Sequence, residues 1–352
     1  MAIDDAKLEA FMHQAVSDFA ASLSGVMTAI GHKLGLYRAM AGNGPMKSAE
    51  LARKTNTHER YIREWLNNQA AGGYVTYDPS RRTYELPEEH VMVLANSESP
   101  AFIPPAFETV ASLWFDEDKI IDAFRTGCGI GWHEHHPRLF FGTEAFFRPG
   151  YRANLATTWI PALDGIHDKL TLGGKVADVG CGHGASTIVM AQAYPNAAFL
   201  GIDYHLASIE TARQRAEEAG VTDRVKFEIA TAKGYSGSGY DLICFIDCLH
   251  DMGDPVGAVK HARQALADGG VVLLVEPFAG DKVEDNLNPI GCLYYAASAA
   301  ICTPNSLSQE VRLGLGTQAG EARLQEVMRE GGFSRFRRAT ETPFNLVLEA
   351  RP

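Results

Sequence analysis

The sequence lacks any apolar run long enough to span a bilayer, so no membrane segment is expected. It is poor in cysteine: six residues, at 128, 181, 244, 248, 292 and 302, are scattered through 352 positions. That spacing excludes a disulfide framework and reads as free thiols in a reducing cytoplasm. Cys244 and Cys248 stand four apart, but no second pair accompanies them, and no zinc site is assigned there. Positive charge is also short. The net charge of −11 argues against non-specific nucleic-acid binding by the whole molecule. Internal repeats and low-complexity tracts are missing. The acidic start, Met1-Ala2-Ile3-Asp4-Asp5, is unlike a secretory signal. A globular, cytoplasmic protein with room for two cores is expected.

What is present is concentrated around Val176-Ala177-Asp178-Val179-Gly180-Cys181-Gly182-His183-Gly184. An apolar strand ends near Asp178, three glycines alternate, and a helix-like run follows from Ala185 to Ala193. Such a turn lets a ligand approach the backbone, because glycine has no Cβ and tolerates positive φ. Gly180, Gly182 and Ala185 also fit the dinucleotide pattern G-x-G-x-x-G/A. Asp178 tips the balance: a carboxylate two residues before the first glycine repels a pyrophosphate. It suits S-adenosylmethionine (SAM), which carries an ammonium and a sulfonium.

Downstream, strands alternate with helices in a doubly wound α/β pattern, Rossmann-like. Expected strands are 176–179, 198–203, 225–229, 241–247 and 270–277, closed by a pair at 333–339 and 344–350. Ligands of such sheets bind at the carboxyl ends of strands. Asp178, Asp203 and Asp247 all fall there. Asp203 is placed to accept ribose hydroxyls, and Tyr204 to stack near an adenine. After the fourth strand comes Cys248-Leu249-His250-Asp251. A neutral imidazole at His250 can take a proton from an attacking hydroxyl, with Asp251 or Glu276 orienting the ring. Asp254 and Pro255 read as the N-cap and first residue of the next helix.

The N-terminal part reads as a long helix within 8–40, a short capped helix at 48–53, a helix at 58–71, and a hairpin over 74–86. That order is a winged helix. Residues 1–95 carry ten Lys/Arg against eleven Asp/Glu, and Arg60 and Arg63 are interleaved with Glu59 and Glu64. A DNA reader usually shows a basic face. A dimerisation and substrate-lid module is therefore favoured over DNA binding, with a homodimer formed through this domain.

Residues 99–165 are rich in Pro, Phe, Trp and His, with a helix expected at 112–126 and another over 140–159. His133-Glu134-His135-His136 is open to two readings, a metal site or a polar loop lining a cavity. Adjacent loop residues rarely converge on one ion, and no metal is assigned. Pocket walls are expected from Trp132, His133, His136, Phe147 and Tyr151. Tyr294 and Tyr295, on an apolar helix over 291–302, join them. Domain boundaries are expected at 1–98, 99–165 and 166–352.

Taken together, residues 170–350 resemble the class I SAM-dependent methyltransferases. Asp178 to Gly184 is similar to their glycine-rich first motif, and Asp203 matches their ribose-binding acid. Leu249-His250-Asp251 resembles the Leu-His-Asp-Trp element of small-molecule O-methyltransferases, with Met252 in place of the tryptophan. The resemblance implies SAM as cofactor, His250 as general base, and cofactor contacts from Asp247 and Cys248. The family's acid after the third strand is missing, and Thr231 and Ala232 take its place. Phe147-Arg148-Pro149-Gly150-Tyr151 and Cys302-Thr303-Pro304-Asn305-Ser306 resemble a bacterial group of two-domain methyltransferase-like proteins, mycobacterial members included. The expected acceptor is small and largely apolar or aromatic. The alternatives are a SAM-binding transcriptional regulator and a dinucleotide oxidoreductase.

Overall fold

A computed structural model describes residues 3–352. The chain divides into two units. One runs to Ala111 and adds Phe141–Pro149; the other comprises Ser112–Phe140 and Gly150–Pro352. Residues 99–165 are thus shared between the two.

The N-terminal unit opens with a helix over Asp5–Lys33, whose Asp4 side chain caps it by accepting from the Lys7 N–H. Met12, Val16, Phe19, Leu23, Val26 and Ile30 recur along it at steps of four and three, and all are exposed. That is the spacing of a coiled-coil seam. The helix is held at its other end: Gly31 lies so close to Trp65 that a Cβ would fall 2.5 Å from the indole, and the indole N–H donates to the Met27 carbonyl. Helices Leu36–Met40, Ser48–Thr55 and Glu59–Ala71 follow, then a hairpin of β1 (Thr76–Asp78) and β2 (Thr83–Glu85). Leu36, Tyr37, Met40, Leu51, Trp65 and Leu66 form the core. The winged-helix order expected from the sequence is present. Ser48, expected near the start of a capped helix, does not cap it. Lys47 holds the flanking position and the Ser48 hydroxyl donates to Glu59 instead.

In the second unit, β3 (Lys175–Val179), β4 (Ala198–Asp203), β5 (Val225–Ile229), β6 (Tyr240–Ile246), β7 (Leu266–Pro277), β8 (Arg335–Glu341) and β9 (Asn345–Arg351) make one sheet in the order β5-β4-β3-β6-β7-β9-β8. β3 to β7 pair in parallel, and β9 runs antiparallel between β7 and β8. This is the expected Rossmann-like sheet. β3 and β6 are buried along most of their length, as parallel strands covered on both faces must be. Strand order reverses between β3 and β6, which opens a crevice at their carboxyl ends.

The helix expected over 112–126 is two helices, Phe107–Phe115 and Glu117–Thr126. The break falls at Asp116, whose buried carboxylate accepts from Lys119 Nζ, from the ring of His135 and from the His136 N–H. Two of these donors come from residues 135–136, outside both helices.

Candidate active site

The glycine-rich turn leaves β3 with Gly180, Gly182 and Gly184 all at positive φ. Their surroundings differ. A Cβ on Gly180 would strike Cys248 Sγ at 2.8 Å, and one on Gly184 would meet Phe227 at 2.8 Å. A Cβ on Gly182 would meet nothing within 4 Å. Gly180 and Gly184 therefore serve packing, whereas Gly182 faces open space.

Asp178 is buried. Its Oδ2 accepts from Ser186 and Thr187, each at 2.6 Å, while Oδ1 is buried without a hydrogen-bond partner. Burial pushes its carboxyl up to about 6, against the pull of the two hydroxyls. An unmatched buried acceptor beside an open glycine fits an incoming cation. Asp203 accepts the Gly182 N–H at 3.0 Å and the His205 N–H at 2.8 Å, which locks the turn to the end of β4. Burial raises its proton affinity as well. These residues fit SAM by donor set and by space.

Across the crevice, Asp247 follows β6 at φ 51°, an unusual conformation for a non-glycine residue. Its Oδ2 accepts from Tyr151 at 2.9 Å and its Oδ1 from Asn345 at 2.8 Å. Burial, with Glu276 nearby, pushes it up to about 8. Cys248 directs its thiol to the Val179 carbonyl, tying β6 to β3.

His250 is buried in the short turn Leu249–Asp251. Glu276, at the end of β7, accepts from the Leu249 N–H at 3.0 Å and sits 2.5 Å from His250 Nδ1. Burial opposes charge on this ring, but Glu276 and Cys302 outweigh it and raise its proton affinity well above that of free imidazole. Of the two acids expected to orient the ring, Glu276 makes that bond. The Asp251 backbone carbonyl accepts from Asn305 and Gln309. Its carboxyl is pushed up to about 7 by burial, against the pull of His250.

The expected pocket walls separate. Tyr151 meets Asp247. The His133 ring lies 6.2 Å from Tyr204, and Trp132 packs on Phe140, which packs on His205, so this group stands beside the end of β4. His136 stacks on Phe115 at 4.3 Å, and His135 bonds Asp116. The imidazoles of the 133–136 run thus turn to different partners. Tyr294 is buried and donates to the Phe344 carbonyl, whereas Tyr295 is partly exposed. Phe147 belongs to the segment grouped with the N-terminal unit. Thr231 and Ala232 follow β5, where the Ala230 N–H donates to the Asp203 carbonyl; Ala232 packs on the core.

Several residues were not anticipated. Ser186 and Thr187 hold Asp178, Asn345 holds Asp247, and Cys302 faces His250. Asn305 accepts from the Trp132 N–H and donates to the Asp251 carbonyl, so it straps the aromatic loop to the His250 turn.

Residues 170–332 match the family described as a methyltransferase domain, and residues 21–96 match the Rv2258c-like winged HTH domain. A 27-O-demethylrifamycin SV methyltransferase from Amycolatopsis mediterranei is 35% identical over 107 residues, covering 30% of this chain and 39% of that protein. The chain spans about two fifths to one half of the length of the first curated relatives it matches. Among solved structures, the mitomycin 7-O-methyltransferase MmcR shares a TM-score of 0.68 at 17% identity, covering 99% of this chain and 100% of that one. Human N-acetylserotonin methyltransferase in complex with SAM gives 0.65 at 18%, covering 97% of each. At such identities the likeness shows the fold.

Proposed function

We propose that this chain, which joins an Rv2258c-like winged HTH domain to a methyltransferase domain, is a SAM-dependent methyltransferase acting on a small, largely apolar or aromatic acceptor. The observation that carries the reading is the pairing of His250, in the turn after β6, with Glu276 at the end of β7, beside the crevice that holds Asp178 and Gly182. The names of the relatives, O-methyltransferases of small molecules among them, support the reaction class.

Asp178 Oδ1 would face the cofactor's ammonium, Asp203 its ribose hydroxyls, and Gly182 would let it approach the backbone. Bound SAM supplies an electrophilic methyl group. The chain's own tasks are alignment, exclusion of water and proton removal. Glu276 orients the ring through Nδ1 and, with Cys302, favours its charged form, so the ring must shed a proton before Nε2 can take the acceptor's. Tyr151 and Trp132 supply aromatic surface on either side.

The winged helix serves assembly in this reading. Arg60 pairs with Glu64, and Arg63 with Glu59 through two bonds, so the helix spends its cations internally. The exposed seam on Asp5–Lys33 suits a second copy of the chain. Calorimetry with SAM and with NAD tests the cofactor. SAM binding without NAD binding is expected; NAD binding without SAM would overturn the proposal.

A further inference from the structure

We propose that His250 Nε2, the Cys302 thiolate and the Asp251 carboxylate form a binding site for a thiophilic divalent metal of the zinc class. The further claim that such an ion blocks methyl transfer rests on the role given to His250 above.

One donor atom from each of these three residues lies within 4.8 Å of the other two. A tetrahedral zinc site needs donors about 3.3–3.8 Å apart, given bonds of about 2.0–2.3 Å. A contraction of about 1 Å closes the set. His250 is already prepared as a ligand. Glu276 takes the Nδ1 side of the ring at 2.5 Å and Cys302 reaches the same ring, so Nε2 becomes a metal donor once the ring gives up its proton. A carboxylate behind a histidine is the usual support of a zinc-bound imidazole.

The two segments that carry the donors are tied together. Asn305 Nδ2 and Gln309 Nε2 donate to the Asp251 carbonyl at 3.2 and 3.3 Å, and the Ser306 hydroxyl donates to the Met252 carbonyl at 2.9 Å. Cys302 ends a π-helical turn, Ser298–Cys302, a local form found frequently at functional sites. The segments that carry the donors are therefore joined before any ion arrives, and the side chains close the remaining gap.

Charge favours a cation. Asp251 and Glu276 stand beside one imidazole, and carboxylates there attract a dication. One sulfur, one nitrogen and one carboxylate oxygen select zinc or cobalt over magnesium or calcium. Three protein donors leave the fourth position open. On binding, the Cys302 thiol releases its proton to solvent as the metal–sulfur bond forms. Nε2 then holds the metal and is lost as a base.

The test uses the full-length protein without SAM, titrated with Zn2+ and, as a control, Mg2+. Calorimetry should show one Zn2+ per chain and no Mg2+ binding. Co2+ should give a thiolate charge-transfer band. Cys302→Ser should abolish that band and weaken Zn2+ at least about tenfold. Asp251→Asn should weaken it as well, and Cys128→Ser, on an exposed thiol, should change neither readout. Far-UV circular dichroism confirms that each variant is folded. Binding unaltered by both Cys302→Ser and Asp251→Asn, or equal binding of Mg2+, would overturn the site. In the second arm, Zn2+ should suppress turnover of the wild type relative to its zinc-free rate, with Cys302→Ser needing at least about tenfold more metal. Zn2+ bound at this site without loss of turnover would overturn the blocking claim. Zn2+ binding in a protein that transfers no methyl group would leave the site standing and count against the enzymatic reading alone.

Discussion

The Tyr151 hydroxyl donates to Asp247 Oδ2 across 2.9 Å, joining residues 96 apart in sequence at the rim of the crevice. The carboxylate is partly buried, and its other oxygen is held by Asn345. Tyr151→Phe removes one donor and leaves a partly buried acceptor unmatched. The expected loss is about 1–3 kcal/mol of stability, read from denaturant unfolding. An unchanged midpoint would show that water replaces the phenol.

Glu276→Gln tests the support of His250. The amide oxygen can still accept from the Leu249 N–H, but the negative charge beside the ring is lost. Turnover should fall about 10–100-fold with SAM affinity within about threefold, since the change touches the base and not the cofactor turn. Equal losses in both quantities would indicate a general collapse of the site.

Asp178 predicts opposite pH effects on binding and on stability. Its folded-state value of about 6 lies above the unfolded value of about 3.9. The charged carboxylate therefore costs the SAM-free fold about 3 kcal/mol above pH 6, and that cost is relieved as pH falls toward 4. SAM needs the charged form. Its affinity should drop about tenfold between pH 7.5 and pH 5, and Asp178→Asn should flatten that dependence. Calorimetry across the range checks the first effect, and unfolding of the SAM-free protein the second.

The three glycines predict three outcomes. Gly184→Ala forces a Cβ into Phe227 and Ala212 at positive φ, and should lower stability more than Gly182→Ala does. Gly182→Ala meets only open space and should cost about 1–2 kcal/mol for its left-handed backbone. Its main effect should be loss of SAM binding. Thermal unfolding beside SAM titration separates the two.

The exposed seam on Asp5–Lys33 predicts a change of assembly. Leu23→Glu places a charge in the middle of the stripe. Sedimentation should show a dimer for the wild type and a monomer for the variant. A monomeric wild type would remove the seam as a dimer surface.

Much of the fold was legible because its signals are local. β3, β4, β6 and β7 announce themselves by apolar runs with an acid at or next to their ends, β5 by its place in the alternation, and the antiparallel closing pair by its turn. Glu276 as partner of His250 was readable from strand ends alone, because neighbouring parallel strands bring their carboxyl ends together. What could not be read depends on contacts between distant segments. Nothing near Asp116 signals that three donors, two of them from residues 135–136, converge on its carboxylate where the helix breaks. Nothing near Cys302 signals His250, 52 positions earlier, since the helix that carries it could pack in several ways. The aromatic link looked like one pocket wall because its residues are close in sequence. The structure instead sends Trp132 and His133 toward β4 and Tyr151 toward Asp247.

The most direct test of the account is single-turnover transfer of labelled methyl from SAM to a panel of phenols and other small acceptors, by the wild type and by His250→Ala. The account predicts a labelled product with the wild type. It predicts a rate about 10²–10⁴-fold lower in the variant, with SAM affinity preserved. Equal rates in the two proteins, or no transfer to any acceptor by a wild type that binds SAM, would contradict it.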